Sequence, residues 1–314
     1  MKALVTGAAG FIGSTLCDRL VGAGADVRGI DCFSDYYPRP LKERNLSGLR
    51  KARGFTFVER ALADANLDAL LQGVTHVFHL AAQAGVRKSW GRDFGVYTVN
   101  NVDATQILLE ACVGKPIERF VYASSSSIYG DEVALPMRED ARPQPVSPYG
   151  VTKLAAEQLC HLYHVNHSVP TVSLRYFTVY GPRQRPDMGF SRFFGSVLRD
   201  EPITMFGDGR QTRDFTFVAD AVSATLHAAT RGKPGGVYNI GGGSRVELLD
   251  VFELIRLVTG RPLKIERLDA QRGDMRDTYA DTTRARADLG FAPTVTLEQG
   301  LRAQYEWITS IDAK

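Results

Sequence analysis

The chain has 314 residues, of which 44% are hydrophobic and 23% are charged, and its formal net charge is +3. This length and composition are typical of a globular protein with room for two domains. The small charge and the lack of a Lys/Arg block argue against nucleic acid as a partner, and no apolar run reaches the roughly 18 residues that a membrane span requires. Four scattered cysteines without metal spacing, and no room for a signal peptide before the first strand, predict a cytoplasmic protein with reduced thiols and no metal.

The first half of the chain alternates short apolar runs with helical patterns. The runs that predict strands are KALVTG, DVRGID, FTFVE, HVFHLAA, RFVYASS and TVSLRYF. Their alternation with helices indicates an α/β fold with a Rossmann-like, doubly wound parallel sheet. Beyond residue 176 the segments are shorter and richer in Gly, Pro and Arg. We therefore expect a large domain over 1–175, with a returning segment near 212–242 that contains GVYNIGGG, and a smaller mixed α/β domain over 176–211 and 243–314.

A glycine turn joins the first predicted strand to the first predicted helix. Gly7, Gly10 and Gly13 form a GxxGxxG pattern, which permits a tight turn and brings backbone N–H groups close to a pyrophosphate. Asp31 ends the second strand, 18 residues after Gly13. A carboxylate there accepts hydrogen bonds from the adenosine ribose and repels a 2′-phosphate. The large domain is therefore predicted to bind NAD rather than NADP, with a plain structural turn as the alternative.

A second constellation lies where SPYGVTK begins a helix. Tyr149 and Lys153 are four residues apart, so their side chains share one helix face. A neighbouring ammonium and a cationic nicotinamide would lower the tyrosine pKa from about 10 and make the phenolate available as a base. The serines of ASSSSIYG follow a strand at the sheet edge where such folds bind ligands, and they either contact a substrate hydroxyl or cap backbone groups.

With these motifs in order, the chain resembles the extended short-chain dehydrogenase/reductases of the NAD-dependent epimerase/dehydratase type. The resemblance runs from Lys2 to about Trp307 through TGAAGFIG, HLAAQAG, ASSSSIYG, YGVTK, RYFTVYGP, GDGRQTRDF and RGDMRDTYAD. Three further stretches, DCFSDYY, AGVRKSW and FTVYGPRQRPDM, are similar to UDP-glucuronate 4-epimerases. The resemblance implies interconversion of UDP-glucuronate and UDP-galacturonate through a 4-keto sugar with tightly bound NAD. It also implies a homodimer formed by helices around 101–113 and 150–166.

The resemblance assigns roles to individual residues. The implied catalytic residues are Ser125, Tyr149 and Lys153. The implied NAD contacts are Gly7, Gly10, Phe11, Ile12, Gly13, Asp31, Leu80, Ala81, Ala82, Asn100, Tyr149, Lys153 and Tyr176. The implied contacts to the UDP-sugar are Arg87, Ser125, Ser126, Thr178, Arg185, Arg192, Arg213 and Asp274. Many relatives place an acidic residue beside the adenine, but this chain has Ala61 and Leu62 there, so that contact falls to the backbone or to Asp64.

The stretch RYFTVYGPRQRPDM contains three arginines, and we expect them to differ in role. Arg185, with the hydroxyl of Thr178, is the candidate for the glucuronate carboxylate, because a guanidinium can hold a carboxylate with two hydrogen bonds. A rigid grip would also keep the 4-keto intermediate, a β-keto acid, from losing carbon dioxide. Arg175 lies within a strand and is expected to form a structural ion pair, whereas Arg183 is expected at the rim of the site.

Trp90, in AGVRKSW, is expected to pack and to help shape the sugar pocket.

Four other functions share parts of this pattern. A UDP-glucose 4-epimerase would use the same chemistry on a neutral sugar, but Thr178 and Arg185 argue against it. A UDP-glucuronate decarboxylase would share the carboxylate site and NAD, and the sequence does not separate it from an epimerase. A nucleotide-sugar 4,6-dehydratase needs acid and base groups where this chain has Ser126 and Ser127. A non-catalytic NAD-dependent sensor would not need the intact set of catalytic residues.

Overall fold

A computed structural model describes residues 1–271 and 273–312, so Arg272 and the last two residues of the predicted small domain lie outside the description. In the described part the strands are β1 (Lys2–Thr6), β2 (Asp26–Asp31), β3 (Phe55–Glu59), β4 (His76–His79), β5 (Arg119–Ser125), β6 (Thr171–Tyr176), β7 (Val179–Tyr180), β8 (Ile203–Phe206), β9 (Thr212–Asp214), β10 (Thr216–Phe217), β11 (Val237–Ile240), β12 (Arg245–Glu247) and β13 (Ile265–Leu268). The α-helices are α1 (Phe11–Gly22), α2 (Arg39–Leu46), α3 (Leu67–Leu71), α4 (Phe94–Tyr97), α5 (Ala104–Cys112), α6 (Pro148–His167), α7 (Gly189–Leu198), α8 (Val218–Arg231), α9 (Leu248–Thr259), α10 (Thr283–Leu289) and α11 (Leu297–Asp312). None of the described helices is both long enough and apolar enough to cross a membrane.

Seven strands form one parallel sheet in the order β11-β6-β5-β4-β1-β2-β3. The predicted α/β class with a doubly wound parallel sheet is thereby confirmed. The register of β11 on β6 pairs Val237 with Ser173 and Ile240 with Tyr176, so the late strand in GVYNIGGG does return to the large sheet. The numerical division into two domains stays a prediction.

The sheet is buried on both faces, which explains why its strands read as continuous apolar runs. Successive residues of a strand point to opposite faces. In β1, Val5 packs into a core beneath α1 and α8, whereas Leu4 packs into a second core with α5 and α6. Both side chains are fully buried. Helices on both faces leave the carboxyl edge of the sheet as the open end of the large unit.

A separate apolar core holds the later elements together. It contains Phe194 of α7, Phe252 and Ile255 of α9, and Leu301 of α11. The parallel pair β8 and β13 and the antiparallel pair β9 and β12 lie beside these helices. This smaller α/β unit faces the carboxyl edge of the large sheet across a cavity.

Candidate active site

A cavity of about 1000 Å³ lies at the carboxyl edge of the sheet and is lined by both parts of the chain. Residues that follow β1, β2, β4, β5 and β6 form its floor, and residues of α7, β8 and the segments around β9 and β12 cover it. The position agrees with the general rule that ligands bind outside the carboxyl ends of parallel strands. Its size suits a large ligand.

The glycine turn is built so that side chains cannot occupy it. Gly7 has a φ of +70°, and a Cβ there would lie 2.9 Å from the backbone nitrogen of Ala81. A Cβ on Gly13 would lie 2.1 Å from the carbonyl oxygen of Gly7, so only glycine lets α1 begin this close to β1. The turn therefore opens the N-terminus of α1 to the cavity, as the pyrophosphate of a dinucleotide requires.

Asp31 lies at the end of β2 with its carboxylate partly satisfied by backbone. Oδ2 accepts a hydrogen bond from the Ala9 N–H at 3.1 Å, and Oδ1 accepts one from the Phe33 N–H at 2.9 Å. A carboxylate has about four acceptor sites, so two remain for the hydroxyls of a ribose. Burial raises the pKa of Asp31, while these two hydrogen bonds and the nearby Lys42 lower it. The donor and acceptor chemistry here fits the adenosine end of NAD.

The other residues expected to hold NAD all line the same cavity. These are Gly7, Gly10, Phe11, Ile12, Gly13, Leu80, Ala81, Ala82, Asn100 and Tyr176. At the expected adenine position the lining consists of Arg60, Ala61 and Leu62, whereas Asp64 is exposed and is not part of it. Of the two alternatives for the adenine contact, the backbone is the one that the geometry favours.

The N-terminus of α6 fixes the candidate base. Ser147 caps the helix by accepting a hydrogen bond from the Gly150 N–H at 3.1 Å, and Pro148 occupies the first turn, where it is favoured. Tyr149 and Lys153 consequently face the cavity together. The ammonium of Lys153 lies 4.5 Å from the centroid of the Tyr122 ring.

The protein alone does not lower the tyrosine pKa in the way the sequence suggested. Burial raises the pKa of Tyr149, and only the Ser125 hydroxyl and the charge of Arg185 oppose it. Burial also lowers the pKa of the Lys153 ammonium to about 7, because the side chain is desolvated and its anionic neighbour Glu157 only partly compensates. The lysine therefore holds less positive charge near neutral pH than an exposed lysine does.

The serine cluster at the end of β5 divides into two environments. Ser125 caps a short turn by accepting a hydrogen bond from the Ser127 N–H at 3.1 Å, and its hydroxyl faces Tyr149 in the cavity. Ser126 also lines the cavity. Ser124 donates instead to the buried carboxylate of Glu157 at 2.6 Å, so it serves the core beneath the site.

The three arginines of RYFTVYGPRQRPDM occupy three different places. Arg175 forms the expected ion pair, at 2.7 Å from buried Glu157. Arg183 pairs with Asp18 of α1 at 2.7 Å and does not line the cavity, so its expected place at the rim was wrong. Arg183 has a φ of +70°, which changes the direction of the backbone before Arg185. Arg185 does line the cavity, together with Thr178.

Four of the residues expected to bind the UDP-sugar line the part of the cavity that contains Phe206. Arg87 forms an ion pair with Asp274 at 2.6 Å, and its guanidinium lies 4.1 Å from the Phe206 ring centroid. The Arg192 guanidinium lies 5.9 Å from the same centroid. Arg213 donates to the carbonyl oxygen of Thr212 at 2.9 Å and lines the cavity. An aromatic ring with two adjacent guanidinium groups can accept a planar base and an anion side by side.

Three residues of the cavity had no predicted role, and a second residue besides Arg183 was misplaced. Tyr36, Asp187 and Phe206 all line it. Tyr36 lies in DCFSDYY and Asp187 lies in RQRPDM. Both stretches were noted for their resemblance to a family, but neither residue was assigned a function from the sequence. Trp90 is 49% exposed and is absent from the cavity lining, so its expected role in shaping the sugar pocket was wrong.

Comparisons with known proteins agree with this geometry. Residues 3–241 match the model of the NAD dependent epimerase/dehydratase family. A UDP-glucuronic acid 4-epimerase from Bacillus cereus, solved with UDP-glucuronic acid and NAD, is 45% identical, with a TM-score of 0.96 over 99% of this chain and 100% of that one. The UDP-glucuronate 4-epimerase of Thermodesulfobacterium geofontis is 36% identical over 97% of this chain and 95% of its own. A Bacillus subtilis protein named as an uncharacterized UDP-glucose epimerase, YtcB, is 45% identical over 99% of both chains.

Proposed function

The chain belongs to the NAD dependent epimerase/dehydratase family, and from this premise we propose that it is an NAD-dependent UDP-glucuronate 4-epimerase. It interconverts UDP-glucuronate and UDP-galacturonate. One observation supports an acidic sugar as the substrate. Arg185 and Thr178 line the same cavity as Tyr149, Lys153 and the glycine turn. A base, a dinucleotide site and a carboxylate site thereby open into one space.

Tyr149 is the group that moves the proton. Its phenolate takes the proton from the 4-hydroxyl of the sugar, and the Ser125 hydroxyl favours that ionised form by hydrogen bonding. Lys153, on the same helix face, holds the nicotinamide ribose and adds positive charge when protonated. NAD, held by the glycine turn, Asp31 and Lys153, would supply a reversible hydride acceptor for sugar carbon 4. The 4-keto sugar rotates within the site between the two hydride transfers. Tyr149 then returns the proton to the oxygen on carbon 4.

The residues that contact the two ends of the substrate would allow the sugar to rotate in the site. Arg87 and Arg192 lie beside Phe206 and, together with Arg213 and Asp274, hold the uridine diphosphate, while Ser126, Thr178 and Arg185 meet the sugar in either orientation. The nucleotide remains fixed as the sugar rotates. Since the reaction involves no net oxidation, NAD would remain bound between turnovers, and the glycine turn and Asp31 would hold it.

The test of the substrate is the loss of preference for an acidic sugar when Arg185 is removed. Arg185→Ala should lower kcat/KM for UDP-glucuronate by roughly 10²-fold, because two charge-assisted hydrogen bonds are lost. Its affinity for UDP-glucose, measured by competition, should change far less. Arg183→Ala is the matched control, since that arginine is on the same loop but pairs with Asp18. Equal losses for both sugars would place the carboxylate elsewhere.

One relative gives a reason to keep a second candidate. The Bacillus subtilis protein at 45% identity carries a UDP-glucose name. A UDP-glucose 4-epimerase would use the same tyrosine and lysine, but it would have no use for a guanidinium at the sugar. Conversion of UDP-glucose to UDP-galactose by the wild-type protein, with UDP-glucuronate untouched, would favour it.

We further propose a cytoplasmic homodimer. All four cysteines are free thiols, and three of them are buried, which suits a reducing compartment. Val151, Leu162 and Val165 are exposed along α6, one of the two helices expected to form the dimer. Large apolar side chains in a row on one helix face favour burial against a second copy.

A further inference from the structure

The three stretches that distinguish this chain within its family converge on one ionic contact. Tyr36 comes from DCFSDYY after β2, Lys88 comes from AGVRKSW after β4, and Asp187 comes from RQRPDM after β7. All three line the cavity beside Arg185. The proposed reaction gives Arg185 a role, but it leaves Asp187 and Tyr36 without one.

Asp187 occupies one edge of the Arg185 guanidinium. The Nε–H donates to Oδ1 at 3.0 Å, and Nη2 donates to Oδ2 at 3.0 Å. A guanidinium carries five N–H groups in a fixed fork, and this contact uses the Nε/Nη2 edge. The Nη1/Nη2 edge is left, and no hydrogen bond from Nη1 is found among the residues that the structure describes. A second carboxylate can therefore meet the guanidinium only along that edge.

Tyr36 fixes Asp187 in turn. Its hydroxyl donates to Oδ2 of Asp187 at 3.2 Å, and its ring centroid lies 5.6 Å from the guanidinium carbon of Arg185. The ammonium of Lys88 lies 5.1 Å from the same ring. The tyrosine reaches this place because Gly85 leaves room, since a Cβ there would lie 2.2 Å from the tyrosine oxygen.

The contribution of Asp187 is orientation rather than attraction. Although burial opposes it, the guanidinium of Arg185 holds the pKa of Asp187 below its usual range, so the carboxylate is ionised and the pair carries no net charge. An anion beside Arg185 by itself weakens the attraction for an acidic sugar. It also stops the guanidinium from rotating, and a rigid fork loses less freedom when the substrate binds.

We propose that Asp187, supported by Tyr36, is a positioning residue that presents the free edge of Arg185 to the sugar carboxylate and so restrains that carboxylate while carbon 4 is a ketone. The inference rests on the proposed epimerase function. It adds a determinant of product selectivity: without this restraint the intermediate loses carbon dioxide. In that side reaction the bond from carbon 5 to the carboxylate breaks, its electron pair forms an enolate with the 4-carbonyl, and carbon dioxide leaves. Protonation at carbon 5 then gives a UDP-4-keto-pentose.

Asp187→Asn tests the proposal with the NAD-containing enzyme and UDP-glucuronate labelled in its carboxylate. The ratio of released carbon dioxide to UDP-galacturonate should rise on the order of tenfold or more over wild type, since misplacement of a reacting group has effects of that size. Affinity for UDP alone should stay within about twofold, because the nucleotide is held by other residues. Tyr36→Phe, which removes only the hydroxyl, should shift the ratio in the same direction by a smaller factor.

Asp140→Asn is the matched control. Arg138 and Asp140 have the same spacing and the same two-point geometry, with Nε to Oδ1 at 3.1 Å and Nη2 to Oδ2 at 3.3 Å, but they are exposed. This variant should keep the wild-type product ratio. An unchanged ratio in Asp187→Asn, or a change accompanied by an equal loss of UDP affinity, would overturn the positioning role. If Asp187→Asn does not fold, an unchanged ratio in Tyr36→Phe overturns it. A wild-type enzyme that makes no UDP-galacturonate would instead refute the proposed function, and the inference with it.

Discussion

Tyr149 shows how one side chain is poised between opposing influences. Burial favours its neutral form, and the Ser125 hydroxyl and the Arg185 charge favour the phenolate. Lys153 cannot be treated as a permanent cation, because burial brings its pKa to about 7. In the protein alone burial therefore favours the neutral phenol, and the proposed role of Tyr149 as a base depends on positive charge that the bound ligand would add.

Replacement of this tyrosine is the residue-level test of the mechanism. Tyr149→Phe should lower kcat with UDP-glucuronate by on the order of 10²–10⁴-fold, because a positioned base typically contributes that much. Bound NAD, measured by its release on denaturation, should remain near the wild-type content, since the glycine turn and Asp31 are untouched. Turnover close to wild type would rule out the assignment of Tyr149 as the base.

At the scale of elements, a buried ion pair joins α6 to the large sheet. Glu157 lies on α6, four residues after Lys153, and contacts Arg175 on β6 at 2.7 Å. Both side chains are about 95% buried, being 3% and 5% exposed respectively. Arg175 also donates to the Tyr129 hydroxyl at 2.7 Å, which in turn donates to Asn239 of β11. The pair thus ties α6, β6 and β11 together beneath the active site.

Removing one partner of this pair should destabilise the protein strongly. Glu157→Gln leaves a buried guanidinium without its anion, so the free energy of unfolding should fall by about 3–5 kcal/mol. Urea denaturation of the two proteins measures the difference. Glu201→Gln, which breaks an exposed pair with Arg199, should change the midpoint little. If the free energy of unfolding fell by a similar amount in both variants, burial would not determine how much the Glu157–Arg175 pair contributes to stability.

At the scale of the whole molecule, the parts that could be predicted are those with local or periodic signals. The strands of the large sheet were visible because both faces are buried and their apolar runs are unbroken. The pairing of Asp187 with Tyr36 was not visible, because it joins residues 151 positions apart and depends on how the loops fold. The place of Arg183 was mistaken for a related reason, since a single residue with positive φ turns it toward α1.

The proposed dimer is a second property of the whole molecule. Val151, Leu162 and Val165 are 47%, 51% and 62% exposed on α6, and they lie on one face of that helix. Light scattering should give about twice the mass of one chain. Leu162→Lys together with Val165→Lys should shift the protein toward the monomer, whereas Leu257→Lys, on an equally exposed position of α9, should not. A monomeric wild-type protein at working concentration would contradict the proposal.

The most direct measurement is the identity of the product formed by the protein as purified. The protein is incubated with UDP-glucuronate without added NAD, and the nucleotide sugars are separated by chromatography and identified by NMR. UDP-galacturonate as the main product is the predicted result, because it requires bound NAD, an active tyrosine and a retained carboxylate together. UDP-pentose with carbon dioxide, or no reaction while UDP-glucose becomes UDP-galactose, would contradict it.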